Sequence, residues 1–194
     1  MPQYYFDADE LLKDEVVLTK LDVGRRQIDS AIRMFFSEED VVALHSVAAA
    51  AHGVLRDLAR HQGITKSVKD SPLIADTARS EFLRAVNYPQ NFFKHADSDP
   101  NGKMAFRHNG TAFFVLDAIV LYVALDKPLT HEMVIFLMWA QLRFPDLICY
   151  QPAEEHLAQI RDTTADPSAF KTLGRVLLSE QKKAFPNTPL EPFS

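Results

Sequence analysis

The chain has 194 residues, 47% hydrophobic and 24% charged, with a single cysteine, which fits one globular domain with a sizeable core and excludes disordered, collagen-like and disulfide-stapled classes. Asp and Glu outnumber Lys and Arg by 26 to 21, for a formal net charge of -5, which argues against a general nucleic-acid coat. Local sign can differ from net sign, and Arg25, Arg26 and Arg33 share one segment while Arg56, Arg60 and His61 close another.

From Met1 to Asp14 the chain is acidic and aromatic, not basic and then apolar, so it is not read as a secretory leader. Apolar residues then recur at helical spacing nearly everywhere. Val17, Leu21, Ile28, Ala31, Ile32 and Phe35 mark an amphipathic first helix within 16–36. Asp40 is placed to cap a second helix through Leu58, rich in alanine and ended by Gly63. The stretch from Gly63 to Pro72 reads as a surface loop.

A third helix is predicted from about Leu73 to Val86, and Asn87 with Pro89 as a stop and restart, since proline is poor inside a helix but good in a first turn. A separate short helix would then carry Asn91 to His95. Asp97 to Gly102 is turn chemistry. Helices follow from about Thr111 to Leu125 and from Thr130 to Leu142, then from Glu154 to Arg161 and from Pro167 to Phe185. The longest apolar run, Ala112 to Leu125, contains Asp117 and falls short of the ~20 residues that cross a membrane. The expectation is an all-α bundle of about seven helices, one domain over 1–194, with 152–194 as a C-terminal helical extension.

Two constellations could carry chemistry. In the second helix His45, His52 and Arg56 are seven and four residues apart, within about 20° of one line down the helix. Such a polar stripe beside another helix could bind an anion. A spacing of seven is too long for the two histidines to reach one metal ion, and no other metal-ligand set is apparent. Cys149 has no adjacent basic residue to activate it.

The second is Asn91-Phe92-Phe93-Lys94-His95-Ala96-Asp97-Ser98-Asp99. Asn91 and His95 are spaced to share one helix face, with Phe92 and Phe93 turned toward the core and Lys94 beside them. Asp97 or Asp99 could orient the imidazole, which makes His95, Asn91, Lys94 and Asp97 candidates for proton transfer beside an anionic group. Helix capping by Lys94 and His95, with Asx-turns at Asp97 and Asp99, would use the same residues structurally. The run Asp97-x-Asp99-x-Asn101-Gly102 opens like an EF-hand, but the twelfth position is His108 and Pro100 interrupts it, so no calcium site is expected.

An all-α bundle with a polar residue shortly before a histidine resembles the HEPN superfamily, whose signature is Arg, four to six residues and His. Arg56-Asp57-Leu58-Ala59-Arg60-His61 carries that spacing, and Asn91-Phe92-Phe93-Lys94-His95 carries the polar residue and position, with Gln90 where the arginine would stand. The wider pattern to about Leu147 also resembles a group of bacterial proteins to which no activity attaches. The HEPN likeness implies a metal-independent ribonuclease, or an inactive relative that binds nucleotides or a partner, completed across a dimer. His95 would then be general base for the ribose hydroxyl, Asn91 would position phosphate, and Lys94 or Arg56 would stabilise developing charge.

Three functions are thus expected: RNA- or nucleotide-directed binding or cleavage, a non-catalytic homodimeric interaction module, or a small-ligand or metal pocket where the His45–His52 stripe meets the Asn91–His95 helix. No resident cofactor and no membrane partner are expected, and the chain is read as cytoplasmic.

Overall fold

The structure, a computed structural model, describes residues 16–97, 99–146 and 167–184. The first helix, α1 (Lys20–Phe36), starts on a reciprocal cap: the Asp22 N–H donates to Thr19 Oγ1 at 3.1 Å, and the Thr19 N–H donates to Asp22 Oδ2 at 3.0 Å. This cap stops the helix four residues short of Val16, so Val16 and Val17 stay exposed. Asp40 caps α2 (Val41–His61) as anticipated, accepting from the N–H groups of Val42 and Ala43.

Both helices end in a Schellman motif. At the end of α2 the left-handed residue is Gly63, with the Ile64 N–H on Ala59 O at 2.8 Å. At the end of α1 it is Glu38, at φ +55°, with the Glu39 N–H on Met34 O at 3.1 Å.

α1 packs most extensively on α2, and α2 in turn on α4 (Thr111–Ala124). Close approach is possible because Gly24 faces Leu55: a Cβ there would lie 2.9 Å from the leucine side chain. The alanines of α2 serve the same end, with Ala48, Ala51 and Ala59 fully buried around Leu55. α5 (His131–Arg143) and α6 (Pro167–Ala184) close the other side of α1. Gly174 admits the ring of Phe36, which a Cβ would meet at 2.6 Å. Ile28, Ile32, Phe36, Val115, Ile119, Phe136 and Phe170 form the centre of the core. A polar seam joins α1 to α5: Thr130 Oγ1 donates to Asp29 Oδ1 at 2.7 Å, Arg25 pairs with Asp29 Oδ2 at 3.3 Å, and Arg33 donates to the buried Glu132.

The described residues form six helices and two single 3₁₀ turns and no strand, so the all-α expectation holds at a slightly lower count. The break at Asn87–Pro89 does not occur: α3 (Asp76–Lys94) runs straight through Pro89. The carbonyl that loses its donor there belongs to Ala85, which is exposed and can be hydrated. The predicted helix from Glu154 to Arg161 lies outside the described residues. α2 is long and apolar enough, by length and composition, to cross a membrane. It is instead a core helix, with His45 and His52 buried against its neighbours.

Candidate functional site

The polar stripe of α2 is turned inward and meets α3, α4 and the loop after α2. His45 is 2% exposed; its Nδ1 lies 3.0 Å from Thr111 Oγ1 at the start of α4, and its Nε2 has no polar partner. Phe93, Phe106 and Phe114 surround the ring edge-to-face, with centroids 5.0–5.8 Å away. Burial, then the nearby ammonium of Lys69, lowers the His45 pKa below the usual histidine range. A neutral imidazole in an aromatic box is a packing element with one hydrogen bond.

His52 is 1% exposed, and Asp117 of α4 binds it: His52 Nε2 donates to Asp117 Oδ2 at 2.7 Å. The same carboxylate accepts from Ser67 Oγ at 2.7 Å and from the Val68 N–H at 3.0 Å. These three donors hold the Asp117 carboxyl below the usual carboxylate range against the opposing effect of burial. Ser67, His52 and Asp117 have the composition of a nucleophilic triad, but Ser67 is 1% exposed and no substrate can reach it.

Arg56 does bind an anion, and that anion is the chain's own. Its Nε and Nη2 clasp the two oxygens of Asp70 at 2.9 and 2.5 Å. That pair depresses the Asp70 pKa, through its hydrogen bonds first. The loop from Gly63 to Pro72 is therefore not merely surface. Its 3₁₀ turn, Val68–Asp70, buries Lys69, whose Nζ donates to Asn87 of α3 at 2.6 Å and lies 4.9 Å from the Phe114 ring centroid. Burial, then the charge of Arg56, pushes the Lys69 pKa down to about 8.

The second constellation is elsewhere, on the exposed end of α3. Asn91, His95, Asp97 and Asp99 line a shallow cleft of about 370 Å³ with Tyr88 and Phe92. His95 is the C-terminal cap residue of α3, its backbone N–H donating to Asn91 O at 3.1 Å. No hydrogen bond joins the His95 side chain to Asp97 among the described residues, and Lys94 does not line the cleft. Asp99–Gly102 forms a turn, with the Gly102 N–H on Asp99 O at 2.8 Å. Phe93 packs on His45, yet His45 and His52 are buried while His95 is exposed, so the two constellations share no cleft.

A larger opening lies between α1, α4, α5 and α6. It is a cleft of about 560 Å³ lined by Phe35, Phe113, Trp139 and Phe144. The Phe35 and Trp139 ring centroids are 4.6 Å apart, and Phe144 stacks near Phe113 at 5.3 Å. Lys171 of α6 lies 4.7 Å from the Phe35 ring centroid and pairs with Glu38 at 3.2 Å. Arg143 lies 5.0 Å from the Phe144 ring centroid and has no carboxylate partner among the described residues.

None of these cleft residues stands out in the sequence, because they come from four helices whose pairing no local spacing reveals. Asp117 did carry a signal: a carboxylate within the most apolar helix of a chain needs a buried partner. Among the described residues no three His, Cys, Asp or Glu side chains converge on a metal position. Compared with protein-family models, with curated proteins and with solved structures, the chain finds no match.

Proposed function

We propose that this protein acts by binding a small organic molecule in the cleft between α1, α4, α5 and α6. The observation that carries this reading is the cleft itself: about 560 Å³, with a floor of aromatic rings and a few charged groups at its lips. Small-molecule sites are typically about 300–1,000 Å³, mostly apolar, with a small number of placed polar groups. The histidines that suggested chemistry on α2 are buried, each held through one ring nitrogen by an internal partner, which supports binding in the open cleft over catalysis on α2.

Glu38 adds to this reading. A residue with a Cβ in the left-handed region costs about 1 kcal/mol, and α2 ends the same motif with glycine. The carboxylate at this position bridges to Lys171, and both residues line the cleft. A melting-temperature screen of small organic molecules against the wild type and a cleft-filling Met34→Trp variant tests the proposal. Compounds that raise the wild-type melting temperature and leave the variant unmoved are expected. Finding none, or finding that hits stabilise both proteins alike, removes the reading.

A second reading, RNA- or nucleotide-directed binding at the end of α3, is supported by the shared cleft of Tyr88, Asn91, Phe92 and His95, since exposed rings can stack bases. Asp97 and Asp99 line the same cleft and repel phosphate, which ranks it below the first. Incubation with mixed RNA and EDTA tests it: cleavage lost in His95→Ala supports the reading, and unaltered RNA together with no retention of RNA on the protein ends it.

A further inference from the structure

We propose that the occupant of the α1–α4–α5–α6 cleft is an organic acid: an apolar, ring-bearing body seated on Phe35, Phe113 and Trp139, with its carboxylate held by Arg143. This rests on the ligand-binding reading above and adds the chemical class.

The two fixed cations of the cleft differ in their partners. The Lys171 ammonium has the Glu38 carboxylate at 3.2 Å and the Phe35 ring beneath it, so its charge is answered within the protein. Arg143, in the last turn of α5, has the face of Phe144 and no carboxylate among the described residues. A guanidinium laid on a ring keeps its N–H edge free, and that edge matches a carboxylate in two-pronged geometry. The apolar wall next to it is continuous, from Phe144 to Trp139 at 6.0 Å and from Trp139 to Phe35 at 4.6 Å. An apolar body with one anionic end satisfies both features together. A neutral ligand would leave the Arg143 edge to water, and a cationic one would meet Arg143 with like charge. Glu39 also lines the cleft, and like Arg143 it is exposed, so water screens both charges.

Trp139 is the only tryptophan of the chain and lines the cleft, so indole emission reports on this site. The full-length protein is titrated with diphenylacetate and with its neutral isostere diphenylacetamide, excited at the red edge of indole absorption where the phenyl rings are transparent. Diphenylacetate is expected to shift Trp139 emission saturably, and the amide to bind about two- to five-fold more weakly, as an exposed guanidinium–carboxylate pair allows. Arg143→Gln should remove that preference by weakening the acid alone, and Arg143→Lys should retain part of it. Equal binding of acid and amide, or a preference unchanged in Arg143→Gln, overturns the acid assignment while the ligand cleft stands. If neither compound moves Trp139 emission, the ligand cleft itself falls and the assignment with it.

Discussion

Removing the Asp117 carboxylate would strand three donors at once: the His52 ring, the Ser67 hydroxyl and the Val68 N–H. Two of the residues that carry them are about 1% exposed, so water cannot replace the lost acceptor without opening the packing between α2 and α4. Asp117→Ala is expected to lower unfolding free energy by about 3–5 kcal/mol, and Asp117→Asn, which keeps one acceptor, by about 1–3 kcal/mol. Denaturant midpoints measure both, and a loss under about 1 kcal/mol for the alanine variant would show that the constellation is not a structural lock. Glu38 isolates a different effect. Glu38→Ala loses the Lys171 pair and keeps the left-handed strain, whereas Glu38→Gly loses the pair and relieves it. The glycine variant should therefore exceed the alanine variant by about 1 kcal/mol, with the wild type between the two because an exposed ion pair contributes about 0–1 kcal/mol. Equal stability of the two variants would mean that the turn carries no strain.

At the scale of elements, α3 is the exception: nineteen residues with none buried, held by the Asn87–Lys69 bond, by Phe93 on His45, and by Arg79, which donates to the carbonyls of Lys69, Ser71 and Ile74. A helix with so little buried apolar area should open locally before the rest of the molecule unfolds. Pro89→Ala restores a backbone bond inside it, so α3 amides should exchange at least about ten-fold more slowly while the global melting transition moves little. If α3 amides and the global transition shift together, α3 belongs to the main cooperative unit. This helix also shows where the sequence stops being informative. Helical periodicity, the cap at Asp40 and the stop at Gly63 were legible because each depends on residues within one turn. That Pro89 would be carried inside a helix was not, since it depends on Ala85 lying on an exposed face. The inward face of His45, His52 and Arg56 was visible as a stripe, but not its partners: Thr111, Asp117 and Asp70 come from elements that only tertiary packing brings together. The aromatic cleft was the least legible feature, for its rings read along each helix as ordinary core.

The molecule as a whole carries two buried charges that oppose folding near neutral pH, one on each side of α1 and α2. In the seam to α5, burial first and the charge of Glu132 second raise Asp29 from its ordinary 3.8 to about 6, against the Thr130 hydrogen bond and the arginines. The folded state therefore binds this proton more tightly than the unfolded chain. The stability linked to it is complete below the ordinary value and is lost as pH rises through about 6, a swing of about 3 kcal/mol. Lys69 is the mirror image: with a folded pKa near 8, below its ordinary 10.5, it opposes folding at every pH below 8 and is relieved as pH rises above it. The absolute stability curve also contains His45, whose lowered pKa costs stability as pH falls, and the paired Asp70 and Asp117, whose depressed values cost stability in stronger acid. Differences between variants cancel the contributions that a substitution leaves untouched. Asp29→Asn keeps the acceptor for Thr130 and cannot ionise, so its stability relative to the wild type should move in its favour by about 2–2.5 kcal/mol between about pH 4 and about pH 7 and then stay level. For Lys69→Met the loss of the ammonium also relieves His45, so the variant should gain on the wild type as pH falls through the histidine range, stay level around neutral pH, and lose ground only above about pH 8, as the wild-type lysine is relieved of its charge. Denaturant unfolding of the three proteins across this pH range decides it. A wild-type to Asp29→Asn difference that does not change with pH would mean that Asp29 ionises in the fold as freely as in the unfolded chain, and the α1–α5 seam would then have to admit water to its carboxylate.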